Sequence, residues 1–200
     1  VILEEDFKRS NINFSKSELK ELNEMSIETN QIYKYGFNKI FCSTETLKDF
    51  FIKKEMHKNI EVLSPIIDFD NIFNYNSVSD KNISIAFMGG SFRNEILLKI
   101  VLPAIIKLSK EIKINFYYPK NSDKTKDIGE IYKENKEINF IGIEKSLSLL
   151  KILRKYSKEK IDILIHCGGE IGNNIYKTEN SLLNSVQLGA VLITSNIEPY

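Results

Sequence analysis

The sequence predicts an α/β fold made of two Rossmann-like parallel-sheet units, the first incomplete. Three observations carry this expectation. Short apolar, β-rich runs alternate with stretches of helical period from residue 39 onward. Two of those runs lead directly into glycine pairs, Gly89-Gly90 and Gly168-Gly169. Ahead of both, residues 68–82 hold asparagine, serine and aspartate in place of any sustained periodicity, which marks a connection. The expected organisation is a first unit over 1–70, a linker over 71–82 and a second unit over 83–200, the second cut short at its carboxyl end.

The elements follow in order. Leu19, Leu22, Met25, Ile32 and Tyr35 recur at near-helical spacing, with Ser15 or Ser17 as cap and Gly36 as stop, so 15–35 is a helix. Residues 39–43 form a strand. Ser43 or Thr44 then caps a helix through Leu47, Phe50, Phe51 and Ile52, and 59–65 is a second strand closed by Pro65. Beyond the linker, 83–88 is a buried strand that runs through Gly89-Gly90-Ser91 into one long apolar helix ending at Lys110. Strands at 112–118, 138–141, 161–166 and 191–195 follow, with helices at 146–156 and from about 178 to 188, where Gly189 ends the last one. Five strands joined by crossover helices make a parallel, doubly wound sheet. The lysine-rich stretch 120–136 reads as a solvated loop.

Composition narrows the function. Of 200 residues, 42% are hydrophobic and 28% charged, enough to bury a core. Lysine and arginine number 28 against 27 acidic residues, and a net charge of +1 supplies no field for a polyanion, so no nucleic-acid partner is expected. Cys42 and Cys167 give neither a disulfide framework nor a zinc-ligand spacing, which points to a reducing, cytoplasmic setting with no disulfide partner and no metal. No run reaches the ~18 apolar residues of a membrane-spanning helix. The chain opens on Val1 without a signal pattern and reads as part of something longer. Arginine occurs only at positions 9, 93 and 154, amid abundant lysine, asparagine and isoleucine, a bias that an AT-rich coding genome explains.

In an open α/β sheet, ligands bind beyond the carboxyl ends of the strands, which would gather Gly89, Gly90, Gly142 and Gly168-Gly169 at one edge. Gly89 and Gly90 precede a helix start, where free N–H groups hold a phosphate, and Arg93 adds a planar, permanently charged fork. The alternative is a tight turn with Arg93 at the surface. The spacing is neither Gly-x-Gly-x-x-Gly nor a Walker loop. Residues 168–180 form a second polar, glycine-rich loop, in which Lys177, Thr178 and Asn180 offer one cation and several donors to a diphosphate, or else merely cap a helix. His166 reads as a packed or hydrogen-bonded strand residue, His57 has no visible partner, and Cys167 falls on the opposite strand face from His166, which disfavours a nucleophile pair. Lys151, Arg154, Lys155, Lys158 and Lys160 make a basic helix face, a solvated surface or a peripheral contact with the inner face of a membrane.

These segments, taken together, resemble the GT-B glycosyltransferases, which use nucleotide sugars and are typical of cell-surface polysaccharide assembly. The resemblance spans roughly residues 38–200. It lies in VLSPIID at 62–68, which is similar to the close of that family's first domain, and in Phe73, where a linker phenylalanine commonly falls. It continues through IAFMGGSFR at 85–93, NFIG at 139–142, IDILI at 161–165, LNSVQLGAVLITS at 183–195 and EPY at 198–200. It implies that Gly89, Gly90 and Arg93 face a donor diphosphate, that Lys177, Thr178 and Asn180 flank the phosphates and donor sugar, and that no metal is required. Where the family often carries two glutamates eight positions apart, this chain has Tyr176 and Asn184; the latter is left to hydrogen-bond a ribose hydroxyl. Lys99 lies too far along the helix to complete the usual arginine–lysine pair. The implied activity is glycosyl transfer from a nucleoside-diphosphate sugar to a saccharide or lipid-linked acceptor. The family also needs an acceptor domain and a returning helix, so these 200 residues alone are expected to be inactive or nearly so. The rival expectations are a non-catalytic partner that binds nucleotide sugar and an epimerase-like sugar-nucleotide enzyme.

Overall fold

A computed structural model describes residues 15–66, 82–89, 93–120, 128–144, 147–167 and 179–196. Among the described residues the fold is mixed α/β and holds two parallel sheets, one of two strands and one of five. It divides into two units, the described part of the first being 15–66 with Glu179 and Asn196, and that of the second lying in 82–167 and 180–195. The expected linker, with Phe73, lies outside the described residues except for Asn82.

In the first unit, α1 (Lys16–Tyr35) begins at a reciprocal cap: Glu18 N–H donates to Ser15 Oγ at 3.3 Å, and Ser15 N–H donates to the Glu18 carboxylate at 2.7 Å. β1 (Ile40–Cys42) leads through α2 (Glu45–Lys53) to β2 (Ile60–Val62), which pairs with β1 in parallel, Ile40 opposite Ile60. Thr44 caps α2 by accepting from Leu47 N–H at 3.1 Å. The small core joins Ile40, Phe51 and Met56, with Tyr33 from α1 edge-on to Phe51 at 5.2 Å. His57 is buried here. It accepts from Asn59 N–H at Nδ1, so Nε2 carries the proton and donates to Phe37 O at 2.9 Å.

The second unit opens with β3 (Ile83–Phe87), the middle strand of the sheet. It continues through α3 (Asn94–Ile96), a π-helical turn (Leu97–Val101) and α4 (Leu102–Leu108) to β4 (Ile114–Lys120). Next come α5 (Ile128–Ile131), β5 (Ile138–Glu144), α6 (Leu149–Lys158), β6 (Ile163–His166), α7 (Asn180–Leu188) and β7 (Val191–Thr194). The strand order is β5-β4-β3-β6-β7, all parallel. The chain therefore starts in the centre, winds outward through β4 and β5, and crosses back to lay β6 on the other side of β3.

Side chains alternate across this sheet and fill two cores. Ile85, Phe87, Phe116 and Tyr118 face Leu97, Val101, Leu102 and Ile105 from the helix after β3. Ala86, Tyr117 and Leu164 face Leu153 and Tyr156 of α6 and Leu188 of α7. Burial on both faces explains why β3 is apolar on both sides of the sheet from Ile85 to Phe87.

Three expectations need adjustment. The helix after β3 is not one regular helix: Leu102 N–H bonds to Leu97 O, five residues back, just ahead of Pro103. A proline ring collides with the carbonyl four residues earlier in a regular helix, and the wider turn relieves that collision. The stretch 120–136 is not all solvated loop, because Ile128 and Tyr132 on and after α5 pack against the first core. β4 begins at Ile114 and runs on to Lys120, since β5 pairs with it up to Glu144.

Candidate functional site

The strand order puts the topological switch between β3 and β6, the place where an open α/β sheet parts its crossover loops. β3 ends in Phe87 and hands over to Met88 and Gly89; β6 ends in His166 and hands over to Cys167. Met88 N–H donates to Ile165 O at 2.8 Å and joins the two strand ends.

Arg93, just ahead of α3, turns back over this junction. Its Nη1 donates to Met88 O at 3.3 Å and lies 2.8 Å from both ring nitrogens of His166. His166 Nδ1 is 3.0 Å from Met88 O. A carbonyl only accepts and Arg93 only donates, so a proton on Nδ1 would serve Met88 O and leave Nε2 as the ring's acceptor.

Gly89 makes room for this arrangement. A Cβ there would stand 2.8 Å from Phe87 Cε1 and 3.0 Å from Arg93 Cδ. The Phe87 ring is 1% exposed and locked in the first core, so it has little freedom to yield. Gly89 thus serves by clearance, letting the Arg93 stem pass over the end of β3.

Among the described residues, three uncharged side chains stand near the junction. Cys167 packs toward the first core, and burial pushes its thiol up, against smaller opposing effects of the Ser195 hydroxyl and Arg93. Thr194 is the register partner of His166 on β7, and its hydroxyl oxygen is buried without a hydrogen-bond partner among the described residues. Asn184, on α7, is buried and donates from Nδ2 to Met88 Sδ at 3.7 Å, a weak acceptor.

Of the residues singled out from the sequence, Gly89, Arg93 and Asn184 are brought to the same corner of the second unit. Asn180 is exposed at the first position of α7, one turn ahead of Asn184. Gly142 is not in a loop. It sits inside edge strand β5 opposite Tyr118, with β4 between it and β3, roughly 10 Å away at the usual strand spacing. Its lack of a side chain accommodates Lys120 instead, whose Cβ would lie 3.3 Å from an added methyl. Gly90, Lys177 and Thr178 lie outside the described residues, as do Tyr176 and the Gly168-Gly169 pair.

His166 is the residue the sequence undervalued. Its packed, hydrogen-bonded character was legible, yet its partner stands 73 residues earlier in the chain. The available signal was its place as the last residue of the strand that returns beside β3. Both ring nitrogens are engaged by Met88 and Arg93, which leaves neither to activate the Cys167 thiol.

Among the described residues no three His, Cys, Asp or Glu side chains gather as a metal site, and no helix is long and apolar enough to cross a membrane. Comparison with family models, curated proteins and solved structures found no match.

Proposed function

We propose that the second unit binds a nucleoside-diphosphate sugar and that the chain belongs to a GT-B-like glycosyltransferase acting on a saccharide or lipid-linked acceptor. The supporting observation is Arg93, a permanent cation held over the switch point of a parallel sheet beside a glycine that leaves room for its stem. A guanidinium so placed matches a diphosphate, and in transfer it would stabilise the charge growing on the departing diphosphate. The resemblance in segment order from β2 to β7 supports the same class. A peripheral membrane contact through the basic face of α6 and a cytoplasmic setting belong to this proposal.

One observation favours a second reading, a partner subunit that binds donor without turnover. Asn184 stands where the resembled family often has a carboxylate, and its amide is spent on a thioether. A neutral amide holds a ribose hydroxyl less strongly than a carboxylate does.

Calorimetric titration with UDP, GDP, CDP and dTDP tests donor binding, alongside R93A and K177A. The expected result is one preferred nucleotide, bound about tenfold or more weakly by R93A, the loss of one charge-assisted hydrogen bond. Equal binding by R93A and the unaltered chain would overturn the assignment of Arg93. A full-length protein that binds donor tightly yet transfers no sugar would favour the second reading.

A further inference from the structure

We infer that the β7 edge of the five-stranded sheet is a self-association surface: β7 pairs antiparallel with β7 of a second copy of this chain, about a two-fold axis through Ile193. This surface is independent of the donor-site reading above.

The two edges of the sheet are built differently. β5 closes one side with Glu144 at its end, and Lys120 lies across Gly142, so charge guards that edge. β7 closes the other with Val191, Leu192, Ile193 and Thr194, which include neither charge nor proline, and no described strand pairs with its outer side. Val191 and Ile193 continue the row of Ile163 and Ile165 on the face of the first core, yet they stand 65% and 47% exposed. On the opposite face, α7 is turned inside out. It buries Ser181, Asn184 and Ser185 with Leu188, and leaves Leu182 and Val186, one turn apart, each 44% exposed.

Charge selects the occupant. A two-fold axis sets each side chain near its own copy, so a charged patch repels itself and an uncharged one is self-complementary. Residues 180–195 contain no Asp, Glu, Lys, Arg or His in a chain that is 28% charged, and no other stretch as long lacks charge. A partner of opposite charge has nothing here to recognise.

The backbone fits the same axis. Val191 N–H donates to Asp162 O at 2.9 Å, so residues 191 and 193 direct their backbone groups to β6, and by the alternation of a strand Leu192 and Thr194 point theirs outward. In an antiparallel pair centred on Ile193, Leu192 exchanges both bonds with Thr194 of the second copy, and Thr194 does so with its Leu192. Ile193 then meets its own copy as a non-hydrogen-bonded pair, with Cα atoms about 4.5 Å apart. The axis is normal to the sheet, so Val191 and Ile193 gather with their copies on one face. The two α7 helices come side by side on the other, where Leu182 and Val186 can cover one another. The product is one continuous sheet of twice five strands, with its two β3/β6 junctions at opposite ends.

The patch is small for a permanent dimer, so association should depend on concentration. Sedimentation equilibrium of the 200-residue chain over about 1 to 200 µM should move from the 23.1 kDa of one chain towards twice that mass. I193E and I193K should each weaken association by about tenfold or more, because like charges face one another at the axis. An equimolar mixture of the two should regain the doubled mass, since Glu then opposes Lys; pairing of position 193 with itself predicts that rescue, and unfolded variants would not give it. Amide exchange at Leu192 and Thr194 should slow as concentration rises. A single-chain mass at every concentration, variants that associate like the parent, or a mixture that stays at the single-chain mass would each overturn the inference. Exchange at Leu192 and Thr194 that is slow at every concentration would place a segment of the same chain on this edge, and growth beyond twice the mass would mean open-ended contacts; either result overturns it as well.

Discussion

Replacing Gly89 with alanine isolates the clearance over the end of β3. Gly89 does not have a positive φ; of the described glycines only Gly189 does. The backbone therefore accepts alanine, and any cost is steric. The new methyl would stand 2.8 Å from Phe87 Cε1, 3.1 Å from Phe87 Cζ and 3.0 Å from Arg93 Cδ, all inside normal contact. Phe87 is packed among Leu97, Leu102 and Phe116, so relief must come from a backbone shift or from displacing the Arg93 stem. Overpacking of this kind costs about 1–3 kcal/mol. At about 4 °C per kcal/mol, melting followed by circular dichroism should fall by about 4–12 °C. Displacing the stem loosens the Arg93–His166 contact, and sulfate or nucleotide affinity should drop by about tenfold, the value of one charged hydrogen bond. A double-mutant cycle separates the two neighbours. In an R93A background the Cδ contact is absent, so G89A should cost about 0.5 kcal/mol less there or better. A G89A protein as stable as the parent and equal to it in anion affinity would refute the clearance role.

Further outcomes follow from the same geometry. Leu164 is 0% exposed between α6 and α7, so Leu164→Ala should lower stability by about 3 kcal/mol in urea unfolding, the cost of a core cavity. Gly189 ends α7 at φ 66°, with Ala190 N–H closing on Ser185 O at 2.9 Å; Gly189→Ala should cost about 1 kcal/mol and Gly189→Asn less. Burial holds the Tyr117 and Tyr156 phenols well above their ordinary range, and Tyr117 also donates to the Glu159 carboxylate at 3.0 Å. Above about pH 10 the unfolded chain loses these protons while the native one keeps them, so stability should fall as pH rises. Ultraviolet titration should find these two phenols ionising only with unfolding, and earlier ionisation in the folded state would contradict their burial.

The sheet was legible because its strands are buried on both faces. Ile85, Ala86 and Phe87 on β3, and Ile163, Leu164 and Ile165 on β6, form continuous apolar runs that need no partner to be recognised. Caps were legible for the same local reason: Ser15 and Thr44 bond to residues three positions on. Gly142 misled because a glycine at the end of an apolar run reads as a turn. Pairing with Tyr118 carries β5 two residues past it, and that pairing is a long-range fact. The π-helical turn before Pro103 was equally hidden, since helical period alone does not register one extra residue per turn.

By itself the sequence determined the alternation of strand and helix, and with it a parallel α/β architecture, because backbone periodicity and capping act over a few residues. It also supplied the glycine before a lone arginine, the chemical raw material for an anion site. Tertiary structure decided which residues meet. Only the return of β6 beside β3 brings His166 to Arg93 across 73 positions and sets Thr194 next to it, while Gly142 is carried away to the sheet edge. Contacts of that separation depend on strand order and register, and those are settled by the burial of both sheet faces at once, which no local window of residues contains.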